Sequence, residues 1–171
     1  MIMQNKTFDQ IFEIMEASFP LAEFRNYEEQ KKLLSNPRYH IFTEKNEQGE
    51  VIAFLCEWKF KTFRYVENIA VAPVKRGSGV GSRLMDYYIN QSTLPIVLEV
   101  EPPSDDLKRR RIQFYERLGF HLNDYEYTQP PLRENTPPLS LCLMTYPEPL
   151  TLSEYEAVKK QLYREVYNLC S

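Results

Sequence analysis

The chain of 171 residues is long enough for one domain with a full hydrophobic core, and its aromatic content, with 12 Tyr and 10 Phe, is that of a folded protein. A formal charge of -3, from 21 Lys and Arg against 24 Asp and Glu, argues against a nucleic-acid partner and suits, without establishing, a cationic one. No apolar run is long enough to span a bilayer, the N-terminus lacks a secretory signal, and Cys56, Cys142 and Cys170 lack metal-ligand spacing, so a cytoplasmic protein with reduced thiols, no metal and no membrane partner is expected.

Phe8, Ile11, Phe12 and Met15 have helical spacing, which predicts a helix from Phe8 to Ala17 broken by Ser18-Phe19-Pro20. A second helix is predicted over Tyr27 to Leu34, stopped by Asn36-Pro37. Tyr39 to Thr43 and Val51 to Phe60 read as two strands joined by the turn Asn46-Glu47-Gln48-Gly49, with Cys56 in the core. Lys61 to Ala72 is the next strand. His40 and His121 belong to no recognisable catalytic or metal set and are read as structural.

The following loop carries three of the chain's five glycines and leads into a helix. Glycine lets the backbone turn without covering its N–H groups, and a helix N-terminus adds unpaired donors and a positive dipole end. This is the layout of an anion cradle. A P-loop would need Lys-Ser/Thr after the last glycine, but Gly81 is followed by Ser82-Arg83. A dinucleotide fingerprint would need Gly-x-Gly-x-x-Gly, but the spacing is Gly77-Ser78-Gly79-Val80-Gly81. The pattern Arg/Gln-x-x-Gly-x-Gly fits Arg76 to Gly81 at every fixed position.

In this loop the chain resembles the GNAT acetyltransferase superfamily. A second phrase strengthens the resemblance. Ile96 to Glu101 is a β-branched strand with acids at alternate positions, ended by Pro102-Pro103. Ser104-Asp105-Asp106 offers an N-cap, and a helix runs to Leu118 with Gly119 as its closing residue. Phe114-Tyr115-Glu116-Arg117-Leu118-Gly119-Phe120 is similar to the second signature of that family, correctly ordered after the first. The resemblance runs from about Val51 to Met144.

The resemblance implies a single GNAT domain over residues 1–171, an α/β (α+β) fold with a mixed, mainly antiparallel sheet that splays at the cofactor site and is flanked by helices. It implies acetyl-coenzyme A as co-substrate, held along Ile69, Ala70, Val71, Arg76, Gly77, Ser78, Gly79, Val80, Gly81 and Ser82, with an oxyanion donor near a bulge at Ala70 or Val71. Tyr115 inherits the role of acid to the leaving thiolate. An amine of pKa about 10 needs roughly 4 kcal/mol to lose its proton at pH 7, so a base helps. The candidates are Glu67, then Glu99, then Glu101, the last two on one strand face. The family's pantetheine-binding asparagine is replaced by Lys108, within the run Lys108-Arg109-Arg110-Arg111. This run is expected to pair mainly with Asp105, Asp106 and Glu116, with Arg111 the best candidate for a phosphate contact.

Tyr125 to Pro138 is aromatic and proline-rich, and the resemblance implies that it lies over the acceptor pocket, with Tyr125 and Tyr127 as walls and Glu101 beside them. Leu139 to Thr145 is the closing strand. Thr151 to Leu169 is a helix capped by Ser153, with Leu152, Tyr155, Val158, Leu162, Val166 and Leu169 as its apolar stripe. The expected activity is N-acetylation of a small-molecule primary amine by direct attack in a ternary complex, by a monomer or homodimer. A protein N-terminus or lysine as acceptor, a non-catalytic coenzyme A-binding module and an unrelated nucleotide binder are the alternatives.

Overall fold

The computed structural model describes residues 3–169. The chain forms two compact units, Met1–Leu94 and Pro95–Ser171.

The first unit contains α1 (Asn5–Ser18), α2 (Tyr27–Lys32, extended by a 3-10 turn at Leu33–Ser35), β1 (Tyr39–Lys45), β2 (Val51–Lys59), β3 (Arg64–Val71) and α3 (Val80–Ile89). The strands pair antiparallel in the order β1-β2-β3. Ala53 to Trp58 are all buried, so both faces of the middle strand are covered. α1 lays Phe8, Ile11, Ile14 and Met15 onto β2 and β3, and α3 packs on the same strands through Leu84, Met85 and Tyr88. The hairpin turn is tied by the Asn46 side chain, which accepts from the amides of Gln48 and Glu50.

The β2–β3 ladder slips once. Cys56 faces Asn68 and Glu57 faces Val66, which leaves Glu67 as the extra residue of a bulge. The irregularity therefore falls at Glu67 and not at Ala70 or Val71, which pair regularly with Phe54 and Ala53.

Arg64 opens β3 and is buried. Its guanidinium donates to the carbonyls of Tyr88 (2.8 Å), Ile89 (3.4 Å), Ser92 (3.0 Å) and Leu94 (2.8 Å), and it lies 4.8 Å from the Tyr88 ring centre. A helix end leaves carbonyls unpaired and carries negative dipole charge, and a buried cation satisfies both needs. Arg64 thereby fixes the C-terminal end of α3 to the sheet.

The second unit contains β4 (Ile96–Val100), α4 (Asp106–Arg117), β5 (His121–Gln129), β6 (Leu139–Tyr146) and α5 (Leu152–Glu165). Its strands pair antiparallel in the order β4-β6-β5. Asp105 caps α4 by accepting from the Lys108 amide at 2.9 Å. The helix closes as a Schellman motif: Phe120 N–H bonds to Tyr115 O at 3.1 Å and Gly119 N–H to Glu116 O at 3.0 Å, with Gly119 at φ 98°.

Two expectations are corrected in this unit. Tyr125 to Gln129 belong to β5 and are not part of a loop, because the ladder to β6 resumes at Tyr127 after a break that leaves Asp124, Tyr125 and Glu126 outside regular pairing. The break is supported by buried Asn123, whose side chain donates to Leu143 O and Thr145 Oγ1 and accepts from Leu150 N. Thr151 caps α5 in place of Ser153, since its hydroxyl and Glu154 make a reciprocal capping box. The helix stops at Glu165, and Leu152 and Leu169 at the ends of the expected stripe are exposed.

Among the described residues no helix is long and apolar enough to cross a membrane, and no group of three His, Cys, Asp or Glu side chains is arranged to hold a metal ion. Cys56 is buried and Cys142 half-buried, both free; Cys170 lies outside the described residues.

Candidate active site

The loop between β3 and α3 starts with a 3-10 turn at Pro73–Lys75 and then bends twice through the left-handed region, with Gly77 at φ 79° and Gly79 at φ 80°. A side chain at either position would be strained, and a Cβ there would meet nothing within 4 Å. The two glycines are thus required by backbone conformation, and they leave the loop surface bare. Gly79 is the N-cap of α3. Among the described residues the amides of 77–82 donate to no backbone carbonyl, so several N–H groups and the positive end of a ten-residue helix face one exposed loop. This donor set fits a pyrophosphate.

Arg76 is turned to a different task. Its guanidinium donates to Val71 O (3.3 Å) and Ser18 Oγ (3.0 Å), tying the loop to the end of α1. Ser78 Oγ donates to Lys75 O, closing the turn from within. Arg83, one turn into α3, pairs with Glu44 on β1. Ile69 and Val71 are half-buried, and Ala70 is buried, on β3 beside this loop.

Glu67, the extra residue of the bulge, projects a carboxylate that is 4 % exposed. One oxygen accepts from Arg25 at 2.5 Å and the other from the Trp58 indole at 3.0 Å. Both oxygens are engaged, and the pair with Arg25 is buried on both sides.

In the second unit Tyr115 is half-buried, its ring packed 5.1 Å from Phe114 and 5.7 Å from Phe120. The contact with Phe120 is the apolar clasp that accompanies a Schellman motif, so the phrase ending in Leu118-Gly119-Phe120 orients the tyrosine ring. Desolvation pushes the phenol up to about 12, opposed by the Arg111 charge one turn earlier.

Arg111 bonds to Glu101 at 2.9 Å, and Lys108 reaches the same carboxylate at 3.4 Å. Arg109 pairs with Asp106. Lys108, Arg109 and Arg111 of the basic run are therefore paired, with Glu101 standing where Glu116 was expected. The pairing with Lys108 and Arg111 also occupies Glu101 more fully than a bare strand carboxylate.

Glu99 is half-buried and accepts from the Tyr167 hydroxyl at 2.7 and 3.0 Å to its two oxygens. Tyr127 is buried, and burial followed by the Glu99 charge raises its phenol far above the usual range. Tyr125 stacks on Tyr155 at 4.6 Å and donates to Leu150 O, so its hydroxyl is held by backbone.

The structure thus gathers the phosphate-type cradle, Arg76 and Ser78 in the first unit. In the second it gathers Tyr115 with Arg111, Arg111 with Glu101, and Glu99 with Tyr127. Sequence reasoning missed Arg25, Arg64 and Tyr167. Arg25 and Arg64 sit in no motif, and Tyr167 lies past the end of α5, so no local signal marks them.

The model of the acetyltransferase (GNAT) family matches residues 8–120. A structure from Bacteroides thetaiotaomicron assigned to the GNAT acetyltransferases is 32% identical, with 95% of this chain and 93% of that chain covered and a TM-score of 0.87. The ribosomal-protein-S18-alanine N-acetyltransferase from Escherichia coli has a TM-score of 0.64 at 19% identity, covering 88% of this chain and 94% of its own. An aminoglycoside 6'-N-acetyltransferase complexed with coenzyme A has a TM-score of 0.60 at 16% identity, covering 81% of this chain and 88% of its own. At that identity the last two show the fold alone. A comparison with curated proteins returns no match.

Proposed function

The chain belongs to the GNAT acetyltransferase family, and from that premise we propose that it moves the acetyl group of acetyl-coenzyme A to a primary amine of a small molecule, by direct attack in a ternary complex. The observation that carries the cofactor side is the loop with two left-handed glycines and open amides at the start of α3. The amides of 77–82 hold the pyrophosphate, with Ile69 to Val71 along the pantetheine arm. When bound, acetyl-coenzyme A supplies the thioester. Arg76 and Ser78 act by fixing the loop, and Arg111 contributes charge near Tyr115. The 171 residues form one functional domain, a reading supported by a family match that crosses from the first unit into the second.

Glu99 leads as the group that takes the amine proton. Glu67 ranks behind it because protonation would break its buried ion pair with Arg25. Glu101 and Tyr125 line the acceptor side. Tyr115 stays protonated through the neutral range and donates to the departing thiolate. The apolar surroundings that raise the phenol raise an adjacent thiol as well, so their affinities for the proton remain matched.

A net charge of -3 supports a cationic acceptor. The reading places the enzyme in the cytoplasm as a monomer or homodimer. The test is release of free thiol from acetyl-coenzyme A across a panel of polyamines, aminoglycosides and peptides with free N-termini or lysines. Turnover with the small amines supports the proposal. Turnover with peptides alone would transfer the reading to a protein acetyltransferase, and coenzyme A binding without turnover would make it a regulatory module.

A further inference from the structure

The second unit holds a cluster of which only Glu99 falls within the family match, which ends at residue 120. Glu99 from β4, Tyr127 from β5, and Tyr163 and Tyr167 from α5 and the turn after it come together. Tyr127 and Tyr163 have ring centres 6.0 Å apart, and Tyr163 and Tyr167 are 6.4 Å apart and edge-on. Tyr167 donates to Glu99. The Tyr163 hydroxyl is committed to Thr128 O at 2.5 Å, and Tyr155 donates to Glu126 O. α5 therefore fixes β5, and with it Tyr127, through the strand's own carbonyls.

Within this cluster one group is unfinished. Tyr127 is 2% exposed, yet its hydroxyl makes no hydrogen bond with any described group of the protein. It lies near enough to feel the Glu99 charge. A buried hydroxyl left unsatisfied is unfavourable, and such a group in a native fold calls for an explanation. The surroundings name what would satisfy it. A carboxylate and phenol oxygens accept hydrogen bonds, and tyrosine faces attract cations. Lys159 already places its ammonium 5.6 Å from the Tyr163 ring centre and 5.9 Å from that of Tyr155.

Resting on the acetyltransferase reading above, we infer that the Tyr127 hydroxyl and the Glu99 carboxylate, held by Tyr167, form the recognition point for the acceptor's primary ammonium. One ammonium N–H bonds to the Tyr127 oxygen and a second to Glu99. Passing that second proton to Glu99 leaves a neutral amine and a carboxylic acid, with no other group changed. Tyr167 is a positioning residue that holds the carboxylate in place for the amine. The aromatic wall selects an ammonium with an apolar or cationic body and rejects one flanked by acids.

The experiment compares wild type, Tyr127→Phe and Tyr167→Phe for melting temperature, KM for amine, KM for acetyl-coenzyme A and the pH profile of kcat/KM. Tyr127→Phe removes one oxygen without changing the ring. The expected result is a melting temperature equal to or above wild type, amine KM raised at least tenfold, and acetyl-coenzyme A KM within twofold. Tyr167→Phe removes a donor to the charged carboxylate, so the acid limb of the profile moves to higher pH. A stabilised Tyr127→Phe with unchanged amine KM, or an acid limb unmoved in Tyr167→Phe, would overturn the inference while leaving the acetyltransferase reading intact. A wild type that binds acetyl-coenzyme A but transfers to no amine would overturn both.

Discussion

At the scale of single residues, the most consequential contact is the buried pair of Glu67 and Arg25, completed by the Trp58 indole. Removing one partner of a buried ion pair loses its charge-assisted hydrogen bonds, whereas replacing both by apolar groups is far milder. Glu67→Gln should therefore lose about 3–5 kcal/mol of stability in urea denaturation, and Glu67→Leu with Arg25→Met should recover most of it. Activity lost in the single variant and regained in the double would identify Glu67 as a support for the bulge. Tyr115 allows a cleaner kinetic test. With its phenol pushed up to about 12, it does not titrate between pH 6 and 10. Tyr115→Phe should lower kcat by about 10²–10⁴-fold equally across that range, measured by thiol release, with the shape of the pH profile retained. Glu67 was legible as an acid in the right strand, but its partner Arg25 lies 42 positions away, and such pairing is a tertiary fact that no local pattern encodes.

At the scale of elements, the cofactor loop was legible because its requirements are local. Two positive φ angles demand glycine, and a helix start demands nothing that other residues must supply. The same holds for α4, where Asp105, Gly119 and Phe120 encode both ends of the helix and the setting of Tyr115. Gly79→Ala should cost about 1–2 kcal/mol of stability from left-handed strain and weaken acetyl-coenzyme A binding at least tenfold by calorimetry, because a methyl group covers the open cradle. β5 was not legible. Pro130-Pro131 and the break after Asn123 disguise a strand as a loop, and the strand is held by Asn123 and by α5 tyrosines on its carbonyls. The end of α3 was equally hidden, since Arg64 satisfies carbonyls 24 to 30 positions away.

At the scale of the whole molecule, the chain invests heavily in buried phenols. Burial raises Tyr39, Tyr88, Tyr115 and Tyr127 above the ordinary tyrosine range, with Glu57 adding to the effect at Tyr88 and Glu99 at Tyr127. A folded-state value above the unfolded one means that the contribution is fully present below about pH 10 and is lost as pH rises through the folded values. Unfolding free energy should be level from pH 7 to 9.5 as far as the tyrosines are concerned and fall steeply above pH 10, as followed by chemical denaturation with tyrosinate absorbance near the transition. The central claim is that the loop at 76–82 binds acetyl-coenzyme A. Thermal melting with acetyl-coenzyme A, coenzyme A, ATP and NAD, each in excess, tests it most directly, since a ligand that binds only the native state raises the melting temperature. The account predicts a rise with the two coenzyme A ligands and none with ATP or NAD. No rise with either coenzyme A ligand, or a rise confined to ATP or NAD, would contradict it.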